Sequence, residues 1–335
     1  LTESIRIEGD RVNITELDDN VSDGALVSGG YLVELDNYDE DNQISLDEKS
    51  CVEGQTLDRL RVTWDTPEVY SSLQKRFITE QFTAINDLVG ANSDQLWSYL
   101  DLDDAVRYYL VEELISHTEA YHGSTYMFRD FGEGQKWHFS PLWDCGNAFN
   151  GDIHDFFYNC DPFGNTWIPS MRSNATFNQK LSATWAWFMN NGYNGIIEEI
   201  DEYVAHISEA AKADRRRWAG ARRPDADGAV DVVDNSDMAA RRNSVVNHLN
   251  GKIEWLKDCF GDYTQMSSSE PERDNTAAAP LPDYAKPAVG ALGDIVTYKD
   301  ARPEYYNLQG MRVDSPVHGR IYIVVQGAQA YKIKY

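Results

Sequence analysis

The chain has 335 residues, of which 42% are hydrophobic and 25% charged, a composition typical of a globular protein with one large core or two domains. Its 30 basic and 55 acidic side chains give a net charge of −25, which repels phosphate backbones, so we expect no nucleic-acid partner. No stretch approaches the roughly 20 uninterrupted apolar residues of a bilayer-crossing helix, so we also expect no membrane-spanning segment.

The chain begins at Leu1 with LTESIRIEGDRVNI, which lacks the basic and apolar parts of a secretory signal. Because the chain opens at Leu1 in mid-pattern and without a methionine, we expect that a processed segment or a larger upstream portion precedes it in the natural protein. Four cysteines, at positions 51, 145, 160 and 259, match no CxxC metal pair. They allow three disulfide connectivities in an oxidising compartment, and free buried thiols are the simpler interpretation.

Short alternating stretches open the chain. VNIT and GGYLVELD are separated by an acidic segment between residues 16 and 23, a pattern typical of antiparallel strands joined by a solvated loop. We predict strands near residues 4–8, 11–16 and 30–36.

From Pro67 onward, apolar residues recur every three or four positions, which predicts amphipathic helices. A β-like stretch, STYMFRDF followed by KWHFSPLWD, interrupts this pattern, and two longer helices follow it. Asp94 and Asp101 lie where caps or first-turn acids of helices are expected. The first long helix carries Ile197, Ile200, Val204, Ile207 and Ala211 on one face, and the second carries Val246, Leu249, Ile253, Leu256 and Phe260.

Residues 263–292 are rich in Ser, Pro and Ala, and this composition predicts a linker because it offers little apolar surface to bury. Alternation returns in YYNLQGMRV and RIYIVVQGAQAYKIKY, where the pair Gln326-Gly327 suits a tight turn between strands. We predict a small β module over residues 293–335.

The most informative stretch is residues 108–152, YYLVEELISHTEAYHGSTYMFRDFGEGQKWHFSPLWDCGNAFNGD. It resembles the CotH family, the spore-coat-protein-H type of secreted, protein-kinase-like proteins, and in particular its Bacteroidetes versions. The first half of the family pattern, E-L-T-x-N-x-D-G-Y-x-x-S-T-Y-x-Y-K-D, is matched by Glu113, Leu114, Tyr121, Ser124, Thr125, Tyr126 and Asp130. The second half, G-P-x-W-D-F-[DN]-x-A-F-G, is matched by Pro141, Trp143, Asp144, Ala148 and Phe149.

GGYLVELD and YLDLDDAVRYYLVEEL fit the family order upstream, so the resemblance covers residues 1–262 and implies an α+β, kinase-like domain there. The C-terminal stretch is similar to a module found on secreted Bacteroidetes proteins. The resemblance therefore implies an extracytoplasmic location: secreted, periplasmic or on the cell surface.

Phosphoryl transfer from ATP to protein hydroxyls, with Mg²⁺ or Mn²⁺, is the activity that the resemblance implies. Asp144 then binds the metal, since phosphoryl transfer needs a divalent ion held by hard oxygen ligands. Asn147 adds a carbonyl oxygen, and Glu119 stands where the family has the Asp that acts on the substrate hydroxyl. The alternative interpretations are a helix-capping carboxylate for Asp144 and a plain helix-end acid for Glu119.

Three positions depart from the family pattern: Glu119 replaces the catalytic Asp, Gly146 replaces the second Asp or Asn, and Cys145 replaces an aromatic residue. An extra methylene moves a carboxylate by about 1.5 Å, and a displacement near 1 Å costs about two orders of magnitude in rate. The family strands that hold the nucleotide phosphates also have no counterpart before Leu1.

Two further interpretations therefore stay open beside a kinase-like enzyme. One is a pseudokinase or surface scaffold that keeps the fold and binds a protein or a glycan. The other is a glycan-acting enzyme, suggested by the tryptophan-rich middle of the chain, which includes Trp137 and Trp167.

Overall fold

Two units make up the chain, Leu1–Pro282 and Asp283–Tyr335. The computed structural model describes residues 4–9, 11–16, 26–55, 57, 59–121, 123–149, 151–159, 167–218, 223–224, 230–231, 237–286, 304–306, 312–313, 321–326 and 329–334.

A five-stranded antiparallel sheet lies in the first unit. Its strands, in chain order, are β1 (Tyr31–Asp36), β2 (Gln43–Asp47), β3 (Arg59–Thr66), β4 (Thr125–Arg129) and β5 (His138–Phe139). They are arranged in the order β2-β3-β1-β4-β5, so β1 is central.

Both faces of β1 are covered, because successive side chains of a strand point to opposite sides. Tyr31 stacks on Phe77, which lies in the helix that follows β3, with the ring centroids 6.1 Å apart. On the other face, Leu32 packs with Val12 and Ile14 of the N-terminal segment. The apolar run at the start of β1 therefore forms the centre of the domain core.

Six helices and a short hairpin complete the described part of the first unit. The helices are α1 (Ser72–Gly90), α2 (Leu102–Leu114), α3 (Ile168–Ser173), α4 (Ala175–Asn191), α5 (Tyr193–Trp218) and α6 (Met238–Phe260); the hairpin strands are β6 (Arg223–Pro224) and β7 (Val230–Asp231). Asp101 caps α2 by accepting a hydrogen bond from the Asp104 backbone N–H at 2.9 Å, and Asp94 opens a 3₁₀ turn, as predicted. The α+β class is confirmed.

The start of α1 is fixed by a reciprocal pair of hydrogen bonds. The Ser71 hydroxyl accepts from the Gln74 backbone N–H at 3.2 Å, and the Gln74 side chain accepts from the Ser71 backbone N–H at 2.7 Å. These bonds pair two N–H groups that would otherwise lack a partner at the helix start.

Replacing Ser71 with alanine is expected to lower the free energy of unfolding by about 1 kcal/mol, since it removes the acceptor for the Gln74 N–H. Urea titration followed by circular dichroism measures this change. Ser72→Ala is the matched control, because Ser72 is exposed and lies one residue inside the helix; it should change stability by less than about 0.5 kcal/mol. Equal effects of the two changes would contradict the capping role.

The N-terminal segment contains less regular structure than predicted. Where strands were expected near 4–8 and 11–16, the described residues form an isolated parallel bridge between Ile7 and Val12. Apolar burial against the sheet, and not strand pairing, holds this segment.

Residues 263–282, which begin the predicted linker, lie within the first unit. The Asp103 carboxylate accepts from the Asp274 backbone N–H at 2.8 Å, and the Asp274 carboxylate pairs with Lys136 at 3.0 Å. Polar contacts thus order a segment whose composition offers little apolar surface. The predicted domain limits themselves stay predictions.

The second unit contains a four-stranded antiparallel sheet. Its strands are β8 (Glu304–Tyr306), β9 (Arg312–Val313), β10 (Ile321–Gln326) and β11 (Gln329–Lys334), in the order β11-β10-β8-β9. Gln326 at the end of β10 pairs with Gln329 at the start of β11. Gly327, the second residue of the predicted tight turn, lies outside the described residues.

None of the helices in the described residues combines the length and apolar content needed to cross a membrane. The five largest fully buried side chains are all tryptophans: Trp64, Trp97, Trp137, Trp167 and Trp185. The high tryptophan content therefore serves the core.

Candidate active site

Two loops meet at the C-terminal end of α2. We name residues 115–124 the α2 loop and residues 140–151 the β5 loop; they carry Glu119 and Asp144, respectively. The Phe149 backbone N–H donates to the Ile115 carbonyl at 2.6 Å. A Cβ atom placed on Gly151 would lie only 2.9 Å from the Ser116 Cβ, so a larger residue there would push the loops apart.

Left-handed backbone is concentrated in these two loops. Of the six non-glycine residues with positive φ among the described residues, five lie here: Ser116, Tyr121, Ser124, Asp144 and Phe149. Such conformations cost about 1–3 kcal/mol each and tend to cluster at active sites and ligand clamps. This backbone strain marks the junction of the loops as the candidate active site.

Asp144 presents an exposed carboxylate on the β5 loop. Asp144 has φ 47° and precedes the 3₁₀ turn Cys145–Asn147, but its side chain makes no capping hydrogen bond. The capping interpretation therefore finds no support in the geometry. Its Oδ1 atom lies 3.4 Å from the position of a Cβ on Gly146, so the missing side chain at 146 leaves space directly beside the carboxylate.

Glu119 and Asn147 are half-buried. Within the described part of the chain, neither side chain forms a hydrogen bond or an ion pair, so both remain available to a ligand. The contact between the loops brings the segments that carry Glu119 and Asp144 together, but the two carboxylates do not bond to each other. A shared cation between them stays a prediction, as do the roles assigned to all three residues.

A buried acid–imidazole pair links the last turn of α2 to the α2 loop. The Glu112 carboxylate lies 2.8 Å from His117 Nδ1, and the side chains are 0% and 2% exposed. Glu112 Oε1, His117 Nε2 and the Tyr121 hydroxyl have no hydrogen-bond partner among the described residues. The pair anchors the loop two residues before Glu119.

Its neighbour Glu113 has separate partners. It forms an ion pair with Lys252 of α6 at 2.6 Å, with both side chains 0% exposed, and it accepts from the Tyr109 hydroxyl at 2.7 Å. Burial raises the pKa of Glu113, and Lys252 counteracts that rise. Glu112 and Glu113 thus point to different sides of α2 and bind different partners, as expected for adjacent residues of a helix.

Sequence reasoning did not find Lys252 or His117 as parts of this region. Lys252 is 139 residues away from Glu113, and no local periodicity links them. His117 stands where the family pattern has Asn, which was the one available signal.

The Cys145 thiol has a raised pKa. Burial raises its pKa from 9.0 to about 11, and the nearby carboxylates of Glu112 and Asp144 add to the rise. The described cysteines, Cys51, Cys145 and Cys259, are free, and the last two are exposed. The expectation of buried thiols is therefore wrong for those two, while Cys160 lies outside the described residues.

At pH 8, Cys145 in the folded protein is expected to react with iodoacetamide about 10-fold more slowly than in the urea-unfolded chain, because its thiolate fraction is about 100-fold lower and the higher nucleophilicity of a high-pKa thiolate offsets part of that difference. Mass spectrometry of the peptide that contains Cys145 measures the rate. Above pH 9 the unfolded rate should level off while the folded rate keeps rising. Steric shielding alone would instead give parallel pH profiles, and that result would contradict the raised pKa.

A second group of possible metal ligands lies at the N-terminal end of α2. One ligand atom each of Asp101, Asp104 and His138 lies within 4.8 Å of the others, and all three residues are half-buried. From the sequence, Asp101 was interpreted only as a cap, and His138 lies too far along the chain to be linked to it by spacing.

Trp137 and Trp167 are 0% and 1% exposed. Neither ring offers a surface on which a sugar could stack. These two tryptophans therefore do not support the glycan-acting interpretation.

A family model described as CotH kinase protein matches residues 8–258, which is more than half of the chain. No curated protein and no solved structure was found to match. The kinase-like nature of the predicted fold is confirmed by the family match.

Proposed function

This chain belongs to the CotH kinase protein family, and from that membership we propose that it binds a divalent metal ion with ATP and phosphorylates protein hydroxyls. The observation that carries the proposal is Asp144, an exposed carboxylate without a capping bond, held in left-handed backbone at the junction of the α2 and β5 loops.

The donor set fits a hard cation. Mg²⁺ and Mn²⁺ prefer carboxylate, carbonyl and water oxygens, and Asp144 and Asn147 offer a carboxylate and an amide carbonyl three residues apart. When bound, the ion would neutralise charge on the nucleotide phosphates. Glu119 would orient the attacking hydroxyl and accept its proton, from the loop that the Glu112–His117 pair anchors.

A pseudokinase or surface scaffold is the second candidate. Gly146 removes a ligand from the metal site, and Glu119 carries one methylene more than the Asp of the family pattern. These differences favour binding without efficient transfer, since small displacements of a catalytic carboxylate cost orders of magnitude in rate.

The setting is also part of the proposal. We assign the protein to the extracytoplasmic space, as a Bacteroidetes-type member whose second unit is the module found on exported proteins. Its partner would be a protein substrate or surface protein.

Two measurements on the full chain separate the candidates. An active kinase should show a thermal shift with Mn²⁺ and ATP together and should transfer labelled phosphate to itself or to casein. A pseudokinase should show the shift without transfer. Absence of both would contradict the kinase-derived proposal and favour a scaffold that binds no nucleotide.

A further inference from the structure

We propose that Asp101, Asp104 and His138, here named the α2 cation group, form a binding site for a transition-metal ion of the Zn²⁺ type. The His138 Nδ1 atom lies 2.7 Å from Asp104 Oδ2, and one ligand atom of each residue falls within 4.8 Å of the others. Zinc bonds of about 2.0–2.2 Å require tetrahedral ligands to stand roughly 3.3 Å apart. Small side-chain movements therefore suffice to close the group around one ion.

Backbone pairing holds Asp101 and His138 next to each other before any metal binds. Leu100 and Trp137 form a parallel bridge, in which the Asp101 N–H donates to the Trp137 carbonyl at 2.9 Å and the Trp137 N–H donates to Tyr99 at 2.8 Å. The residues that follow the bridge on each side are Asp101 and His138. Trp137 is 0% exposed, so the scaffold beneath the group is rigid core.

The orientation of the imidazole is fixed as well. The His138 ring stacks on Phe128 with centroids 4.9 Å apart and an interplanar angle of 12°. Rings held in this way lose little freedom when they bind a metal, which favours affinity.

Charge balance distinguishes this group from the acids around it. Asp103 pairs with Lys180, and Asp274 pairs with Lys136. Among the described residues, the two carboxylates of the α2 cation group have a single imidazole as their ion-pair partner. The N-terminus of α2 contributes only about half a positive charge, so a divalent cation would balance the remaining negative charge of the two carboxylates.

The ligand types indicate which cation. Imidazole nitrogen suits zinc and its neighbours, whereas Mg²⁺ and Ca²⁺ take oxygen ligands. Asp101 can keep its cap on α2 through Oδ1, since that oxygen accepts from the Asp104 N–H and the second oxygen is left for the metal. Three protein ligands leave a fourth position for water.

The α2 cation group lies at the opposite end of α2 from the loop that carries Glu119. Asp104 lies in the first turn of α2 and the α2 loop follows its last turn, with about 15 Å of helix between them. A metal here would join β5, which has two residues, to the start of α2.

Zinc titration of the full chain by calorimetry tests the proposal. We expect one Zn²⁺ per chain, a rise in melting temperature on binding, and d–d absorption bands when Co²⁺ replaces Zn²⁺. His138→Ala should weaken Zn²⁺ binding at least tenfold. Asp101→Asn should do the same while melting normally without metal, because asparagine is also a good helix cap.

Two control variants keep the result specific. His154 is an exposed histidine 3.9 Å from Asp152, and His154→Ala should leave zinc binding unchanged. Asp144→Asn should also leave it unchanged, which separates this site from the phosphotransfer site. No stoichiometric zinc binding by the wild type, or binding that survives both His138→Ala and Asp101→Asn, would overturn the proposal.

Discussion

Replacing Lys252 with alanine is expected to lower the free energy of unfolding by about 3–5 kcal/mol, because it leaves the Glu113 carboxylate buried without its counter-charge. Both side chains of this ion pair are 0% exposed. Lys252 also donates to the Asp155 carbonyl and lies 4.7 Å from the centroid of the Trp255 ring. Urea denaturation of the variant measures the loss.

The loss should be smaller at low pH. Burial already raises the pKa of Glu113 in the wild type, and removal of Lys252 would raise it further. Between the unfolded pKa and this raised folded pKa, the folded variant binds more protons than the unfolded chain, so its stability rises as the pH falls. The variant should therefore recover part of its stability between pH 7 and pH 5.

Lys257→Ala is the matched control on the same helix. Lys257 pairs with Glu254 at 2.6 Å, but Glu254 is 69% exposed, and an exposed pair contributes about 0–1 kcal/mol. If Lys252→Ala cost no more than Lys257→Ala, the buried pair would not be the link that holds α2 to α6.

Local patterns predicted part of the regular structure, but β2, β3, α3 and α4 were not predicted. Spacing of three and four predicted the apolar faces of α1 and α2, and alternation predicted β1. Local patterns did not predict contacts between residues that are far apart in the chain, nor segments without regular secondary structure. The N-terminal segment is held by apolar burial and by a hydrogen bond from the Thr15 N–H to Asp130 Oδ1 at 2.9 Å. Within residues 263–282, Asp274 contacts side chains more than 100 positions away.

In the candidate site, too, the sequence motif predicted the residues but not their backbone conformation or their distant partners. Asp144 and Glu119 were found through an ordered motif, and the structure places the loops that carry them in contact. The left-handed backbone at Asp144 could not be predicted, since aspartate adopts this conformation only occasionally and no local motif requires it. His138 was missed because the bridge between Leu100 and Trp137 that brings it to Asp101 has no sequence signature.

Replacing Asp144 with asparagine is expected to abolish the thermal shift produced by Mn²⁺ and ATP while leaving the ligand-free melting temperature unchanged. Asparagine tolerates left-handed backbone as well as aspartate does, and the Asp144 side chain makes no capping bond that could be lost. A ligand at 100 times its dissociation constant stabilises a protein by about 2.7 kcal/mol. The variant should lose this stabilisation, because its neutral amide is a poor ligand for a divalent ion.

Glu119→Gln is the informative partner variant, since it changes the proposed proton acceptor without touching the metal ligand. It should keep the Mn²⁺-dependent shift and lose phosphate transfer by about two orders of magnitude or more, in line with the loss of a positioned base.

Asp144→Ala should lower the ligand-free stability by about 1 kcal/mol, because alanine is strained at positive φ. A full shift in Asp144→Asn would place the metal elsewhere, and loss of the shift in Glu119→Gln would assign both carboxylates to one ion.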